Sequence, residues 1–513
     1  MTTAPHAEPA DPPAPGHAAA GPAAHPAPDR PASTTLDKGL RAGALGLLSS
    51  IVIAVSSTAP AYSIAAILGL IVAISGTHTP GMFIVAFIPM LFIAVAFREL
   101  NRIDPDCGTT FVWVRRAFGP GAGWMGGWGI IAADIIVMAS LAQVVGRYAL
   151  LLVGADGLAT QTAPVVVVGV VFIAALTYVC HRGIEISARL QLVLLGIEIA
   201  GLAALCVVAF VKVGTGHAMA GHGHLSASWL NPFTGSFTDV SNAFLLAVFV
   251  YWGWDAAVSV NEETEDAERI PGRSAVTSTL MLVGIFFVVA VATLAYAGPA
   301  FLTANSGDVL GAMADSVFGS TLGKIMILCV LSSTAASTQT TIMPTARAVL
   351  SMAAHGALPT RLGRVHPRYL TPSVATITMG VVSAVFYVLL AMASSNILAD
   401  SASATGLLIA FYYGLTGLAC VWVFRKDLRR GPRDLLAKGV LPLLGGLALF
   451  GAFALSIKSY LPASSSATHF AGIGGIFLIG AGALVLGLLL MLTARLRYPG
   501  YFRRSRPAAT EQG

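Results

Sequence analysis

Charge is scarce in this chain. Only 11% of its 513 residues are charged while 56% are hydrophobic, against about 25% charged in ordinary soluble domains. Too few ionic groups remain to cover a water-facing surface. Cysteine is also sparse: Cys107, Cys180, Cys206, Cys329 and Cys420 form no CxxC pair and no short regular spacing, which excludes a disulfide scaffold and a zinc site. Long alternating polar and apolar segments are missing, which argues against a β-barrel. No GxSxG, HExxH or paired-histidine motif occurs within the apolar stretches, so a membrane-embedded enzyme lacks its nucleophile, base or metal ligands. Nothing resembles a nucleic-acid-binding domain, and no motif calls for a cofactor.

What is abundant is apolar sequence in long runs, with 54 glycines among them, a composition suited to closely packed membrane helices. A helical span needs about 20 apolar residues to cross a hydrocarbon core of about 30 Å. Twelve such stretches are expected, at 43–74, 81–98, 124–151, 163–180, 188–211, 240–260, 275–299, 322–345, 373–393, 402–424, 437–457 and 470–494. Residues 1–35 are different. Nine Pro and eleven Ala between Met1 and Ala32 leave no apolar run, so this tail is expected to be disordered. It lacks the basic start and apolar stretch of a signal peptide, and His6, His17 and His25 are expected to be solvated. With the N-terminus placed inside, 26 of the 30 Lys and Arg residues fall on the inner side. Arg147, Lys212, Lys324 and Lys458 fall outside. That bias orients the chain with both termini cytoplasmic.

Two stretches are interrupted. The first contains Ser56-Ser57-Thr58-Ala59-Pro60, which reads as a helix stopping near Val55 and restarting near Pro60, with hydroxyl residues and proline at the new N-terminus. Such a restart points amides and a positive dipole end into the membrane interior, where an anion can bind. A simple proline kink with the hydroxyls bonded back is the alternative. The sixth contains Phe249, Trp252, Gly253, Trp254 and Asp255, where glycine and an acid interrupt bulky apolar residues. A mid-membrane charge costs on the order of 3 kcal/mol; Asp255 either holds the bend or marks a second break whose carbonyls attract a cation. Breaks five spans apart fit an inverted-repeat transporter. Amides at one and carbonyls at the other suit a zwitterion.

Three motifs resemble the amino acid–polyamine–organocation permeases. Gly253-Trp254-Asp255, then Glu262-Glu263, a polar turn, Arg269 and Pro271 are similar to the family's sixth-span signature, with Ala267 where many members have Pro. Gly108-Thr109-Thr110 through Arg115-Arg116 to Gly119-Pro120 and Gly123-Trp124 resembles the loop before the third span. Arg347 through His355-Gly356 and Pro359 to His366-Pro367 and Thr371-Pro372 resembles the loop after the eighth. The resemblance covers residues 40–425. It implies an all-α membrane protein of 12 helices, with a 5+5 inverted-repeat core of the leucine-transporter type (residues 36–425), discontinuous helices 1 and 6, two further helices (426–498) and a basic cytoplasmic tail (499–513). It also implies transport of amino acids or amines by alternating access. Carried over, Ser56, Ser57, Thr58 and Ala59, which replace the common Gly-x-Gly, hold a substrate carboxylate. Carbonyls near Phe249 and Trp252 hold an ammonium, and Phe249 closes over the substrate; core packing is the other reading of Phe249.

Few acids lie within the spans: Asp134, Glu198 and Asp255. Glu198 sits where some proton-coupled relatives carry a lysine, which implies proton coupling through it; a structural hydrogen bond to the first-span backbone is the alternative. Asp134 and Asp255 suit a cationic head, as of a diamine or basic amino acid. Hydroxyls at Ser332, Ser333, Thr334, Thr338, Thr340 and Thr341 serve either sodium, ranked below the proton, or interhelical bonding. Phe411, Tyr412 and Tyr413 are candidates for an outer gate. His217, His222 and His224 form a solvated loop rather than a metal site. Glu263 is expected to pair with Arg115 or Arg116 as an inner gate. A non-transporting amino acid sensor on the same fold is the remaining alternative.

Overall fold

A computed structural model describes residues 1–2, 36–319, 323–394, 396–466 and 468–503. The expected disorder of the first 35 residues, with its three histidines, and most of the basic C-terminal tail lie outside the described residues.

The chain is almost wholly helical. The first long run comprises α1 (Leu47–Thr58), α2 (Pro60–Ser63), a π-helical stretch (Ile64–Leu68), α3 (Gly69–Ser75), a short 3-10 turn and α4 (Thr79–Ile103). Then come α5 (Thr110–Phe118), α6 (Pro120–Leu152), α7 (Asp156–Ala159), α8 (Thr162–Arg182) and α9 (Ile184–Gly214). A loop leads to α10 (Phe237–Tyr251), α11 (Ala256–Ser259), α12 (Ile270–Ala304), α13 (Val309–Phe318) and α14 (Lys324–Ala354). The last third holds α15 (Ser373–Ala393), α16 (Ile397–Val423), α17 (Pro432–Asp434), a π-helical stretch (Leu435–Val440) and α18 (Leu441–Tyr460). It ends with a small hairpin of β1 (His469–Phe470) and β2 (Ile473–Gly474), then α19 (Gly475–Arg497) and α20 (Pro499–Arg503).

Among the described residues, ten helical runs are long and apolar enough to cross a membrane, against twelve expected stretches. The difference has two sources. Leu47–Ile103 forms one nearly continuous helical run that contains the first two stretches. The sixth is cut short: α10 has 15 residues, because Trp252 is extended and Gly253 lies at φ 121°. The eighth runs to Ala354 rather than 345. Its Thr338, Thr340 and Thr345 hydroxyls bond back to carbonyls four residues earlier, so a polar sequence continues as helix.

Burial sorts these helices. In α6, 89% of the most apolar window is buried, but only 28% in α19. α6 packs on α14 and α16, while α19 shows Leu486, Leu489 and Leu496 outward. An apolar exterior around a polar-threaded interior is the arrangement lipid favours and water does not.

Candidate functional site

The two interruptions meet. α1 stays helical through Ser56, Ser57 and Thr58, and only Ala59 leaves the helix, at φ 46° and ψ 67°. The break is therefore shorter than the expected one from Val55 to Pro60. Thr58 Oγ1 donates to the Val55 carbonyl at 2.7 Å and the Ala59 N–H to the Ser56 carbonyl at 3.2 Å, which keeps the last turn wound. Pro60 then opens α2. Opposite, Gly253 lies so close to Ser57 that a Cβ added there would meet the Ser57 carbonyl carbon at 2.7 Å and its oxygen at 2.8 Å. A positive φ and this approach together require glycine. Ser337 Oγ of α14 donates to the Ser57 carbonyl at 2.9 Å, tying a third helix to the crossing.

The amides at the restart are not open. The Ala61 N–H donates to Glu198 Oε1 at 2.8 Å and the Tyr62 N–H to Ser333 Oγ at 3.1 Å. Ser333 Oγ in turn donates to Glu198 Oε1 at 2.7 Å. The positive end of α2 is thus met by a carboxyl group from α9, fully buried. Glu198 Oε2 is buried without a hydrogen-bond partner. Ser56 Oγ is likewise buried and unpaired. Tyr62 reaches from α2 to Ser140 Oγ of α6 at 2.8 Å.

On the α10–α11 side, the Phe249 and Trp252 rings lie 6.4 Å apart, and the Trp252 N–H donates to the Phe249 carbonyl. Trp252 Nε1 donates to the Tyr412 hydroxyl, which donates onward to Asp255 Oδ2 at 3.1 Å. Tyr412 is therefore a buried link between two residues of the break. Asp134 of α6 shares a 2.7 Å hydrogen bond with Thr345 Oγ1 of α14. Ser56–Ala59, Gly253, Glu198 and Ser333 thus form one junction. Trp252, Tyr412 and Asp255 form an adjoining chain, with Asp134 held to α14.

The arginine-rich end carries a second polar centre. Asp106 Oδ1 accepts from the Gly108 N–H at 2.8 Å and Ser351 Oγ at 2.6 Å, and its Oδ2 from Lys38 Nζ at 2.9 Å and His355 Nε2 at 3.1 Å. Lys38 also reaches Glu262 Oε1 at 2.5 Å. The Leu45 N–H donates to the Glu263 carbonyl and the Glu265 N–H to the Leu45 carbonyl, so the strand before α1 is stitched to the turn after α11. The expected pairing of Glu263 with Arg115 or Arg116 is not what forms. Glu263 pairs with Arg347 at 2.5 Å, Arg115 Nη1 donates to His355 Nδ1, and Arg116 faces Asp104 at 3.5 Å. The reason is the longer α14, which carries Arg347 down to the buried turn. Neither Lys38 nor Asp106 stands out in the sequence, because an isolated lysine beside a low-complexity tail and one aspartate in a Pro-Asp-Cys loop carry no periodic signal.

Burial works to raise the Asp106 carboxyl, but the His355 hydrogen bond, the Lys38 charge and the Ser351 hydroxyl outweigh it and hold it below the usual carboxylate range. Asp106, Cys107 and Glu262 bring potential metal ligands within 4.8 Å. Burial pushes the Cys107 thiol well up, disfavouring a thiolate ligand. The Lys38 ammonium already supplies the positive charge. His217 and His222 instead bond to Thr215 Oγ1 and the Met219 carbonyl. Removing the Asp106 charge in Asp106→Asn should cost about 3 kcal/mol at neutral pH. A depressed folded pKa contributes stability above the unfolded value of about 4 and loses it as pH falls toward the folded one. The melting-temperature gap between wild type and Asp106→Asn should therefore narrow from pH 7 to pH 3; a constant gap would contradict the paired carboxylate.

Ten helical runs long and apolar enough to cross a membrane among the described residues, with two interrupted helices that meet, define a multi-pass membrane protein. A family model described as amino acid permease matches residues 45–483, and the chain belongs to that family, within the amino acid–polyamine–organocation superfamily that its motifs resemble. It is similar to the branched-chain amino acid permease BcaP of Lactococcus lactis, 24% identical over 72% of this chain and 80% of that protein. It is similar to the low-affinity putrescine importer PlaP of Escherichia coli, at 23% over 74% and 81%. The arginine/ornithine antiporter of Latilactobacillus sakei matches at 23% over 79% and 84%.

Proposed function

We propose that this protein is a secondary active transporter that moves amino acids across the cell membrane by alternating access, coupled to protons through Glu198. Residues 36–425 form the 5+5 inverted-repeat core of a 12-helix chain, residues 426–498 add two helices, and both termini face the cytoplasm. The distribution of Lys and Arg supports that orientation.

One observation supports the reading: the Glu198 carboxyl accepts from the Ala61 amide of the α2 restart, and from the Ser333 hydroxyl that receives the Tyr62 amide. A carboxylate there competes with a substrate carboxylate for the same positive helix end. A proton arriving on the unpartnered Oε2 neutralises Glu198 and weakens its charge-assisted bonds. The helix end is then released to an incoming anion, so proton and substrate carboxylate load together. Carbonyls at Phe249 and Trp252 receive the ammonium, and the Phe249 ring closes over it. Sodium at the α14 hydroxyls ranks lower, since Thr334, Thr338 and Thr340 are bonded back to their own helix.

A cationic amine is the second reading, favoured by Asp134 and Asp255 near the break and by the names of the putrescine and arginine/ornithine relatives. Proton accounting favours a neutral Asp134. The single Thr345 hydroxyl hydrogen faces both the Thr341 carbonyl and Asp134 Oδ2, and a protonated carboxyl satisfies both contacts.

Uptake of labelled branched-chain amino acids, arginine, ornithine and putrescine into proteoliposomes tests the reading. The expected result is pH-gradient-driven uptake of a zwitterionic amino acid that survives Asp134→Asn. Loss in that variant would indicate a cationic substrate. Flat uptake for every compound, with or without a gradient, would overturn the transporter mechanism.

A further inference from the structure

At the arginine-rich end, outside the central junction, lies a cavity of ≈ 660 Å³ lined by Arg98, Arg102, Arg269, Arg273, Arg433 and Lys438. These bases come from three separated segments: the end of α4, the start of α12, and α17 with the π-helical stretch after it. Three acids also line it, leaving a surplus of three positive charges. Two of the acids are engaged within the wall. Glu99 faces Arg98 at 2.8 Å and Arg102 at 3.6 Å, and Asp434 faces Lys438 at 3.0 Å. The third, Glu268, is exposed.

Arg273 and Arg433 are exposed and make no ion pair among the described residues. The Lys438 ammonium lies 5.0 Å over the Phe424 ring, which closes one side of the cavity. Three other cavities among the described residues are unlike it. One holds only Arg147 as a base, another holds no charged residue, and in a third Arg189 is balanced by Glu185.

The surroundings are apolar and outward-facing. Leu436, Val440 and Leu444 are exposed, and their four-residue spacing makes one stripe running away from the cavity. Leu280 and Met281 of α12 are also exposed. A pocket with unneutralised guanidinium groups, opening beside an exposed apolar stripe, has the polarity of an anionic amphiphile. Basic pockets between membrane helices recognise phosphate headgroups by charge and by bidentate hydrogen bonds from arginine.

We propose that this cavity binds the phosphate-bearing headgroup of an anionic membrane glycerophospholipid, whose acyl chains lie along the Leu436–Val440–Leu444 stripe. The bound lipid joins α4 and α12 of the bundle to the segment that leads into α18. It also sits just beyond the Glu262–Glu263 turn, so it braces the base of the inner polar centre.

The test uses purified full-length protein, delipidated in detergent, with lipid retention measured by native mass spectrometry and stability by thermal melting. Phosphatidylglycerol and cardiolipin should be retained and should raise the melting temperature, while phosphatidylcholine should do neither. Arg273→Gln with Arg433→Gln should weaken retention by about 25-fold, from roughly fivefold per arginine. Both residues are exposed and unpaired, so the variant's lipid-free melting temperature should match wild type. Equal retention of phosphatidylcholine by wild type, or undiminished retention of anionic lipid by the double variant, would overturn the proposal. Stabilisation by inorganic phosphate alone, equal to that by lipid, would overturn the lipid assignment in favour of a soluble anion.

Discussion

Gly253→Ala should abolish transport while leaving the protein in the membrane. Gly253 sits at φ 121°, where an L side chain is strained by about 1–3 kcal/mol. Its new Cβ would also meet the Ser57 carbonyl carbon at 2.7 Å and Ser57 Oγ at 2.9 Å. The Ser57 carbonyl is backbone of the other broken helix and cannot rotate away as a flexible side-chain end could. Overpacking adds a further cost of about 1–3 kcal/mol, and the crossing must open. Because the candidate substrate groups flank that crossing, uptake should fall by more than about 100-fold, the range in which a displacement of about 1 Å costs function. Gly284, whose added Cβ meets nothing within 4 Å, is the matched control and should tolerate alanine. Uptake by Gly253→Ala near the wild-type rate would mean that the two breaks do not form one site.

Glu198→Gln should separate transport from coupling. Glutamine keeps a carbonyl oxygen that can accept from Ala61 N–H and Ser333 Oγ, the two groups that Glu198 Oε1 now satisfies. The fold should therefore hold. Glu198→Ala removes the acceptor from a buried amide, which costs about 1–3 kcal/mol, and should lower the melting temperature where Gln does not. A side chain that cannot ionise neither competes as an anion nor carries a proton. Exchange of labelled for unlabelled substrate should persist in Glu198→Gln, and accumulation driven by a pH gradient should not.

The membrane-spanning helical character was legible because bilayer thickness imposes a length on apolar runs. The motifs led to the right family for a similar reason: glycine, acid and proline at fixed offsets are a backbone requirement. Gly253 could be named from sequence, since glycine between bulky aromatics beside an acid marks a bend. The extent of the first break was not legible. Ser56 to Thr58 carry cap chemistry that serves equally well folded back onto a helix, and only the Thr58 and Ala59 bonds show which occurs. The partners of Glu198 were beyond a single sequence, because Ala61 and Ser333 reach it from helices 137 and 135 residues away. The Glu263 pairing failed on a register question. Locating Arg347 opposite it requires that α14 continue past 345, where the apolar stretch ends. Lys38 and Asp106 show the same limit, since their significance lies in a juxtaposition across 68 residues.

The central claim is that Glu198 carries the transported proton. The most direct measurement is substrate-dependent proton entry into proteoliposomes holding a trapped pH-sensitive dye, with no imposed gradient, for wild type and Glu198→Gln side by side. The account predicts that adding the transported amino acid acidifies the lumen of wild-type vesicles, and that Glu198→Gln vesicles exchange the same amino acid without acidification. Equal acidification by both proteins would contradict it.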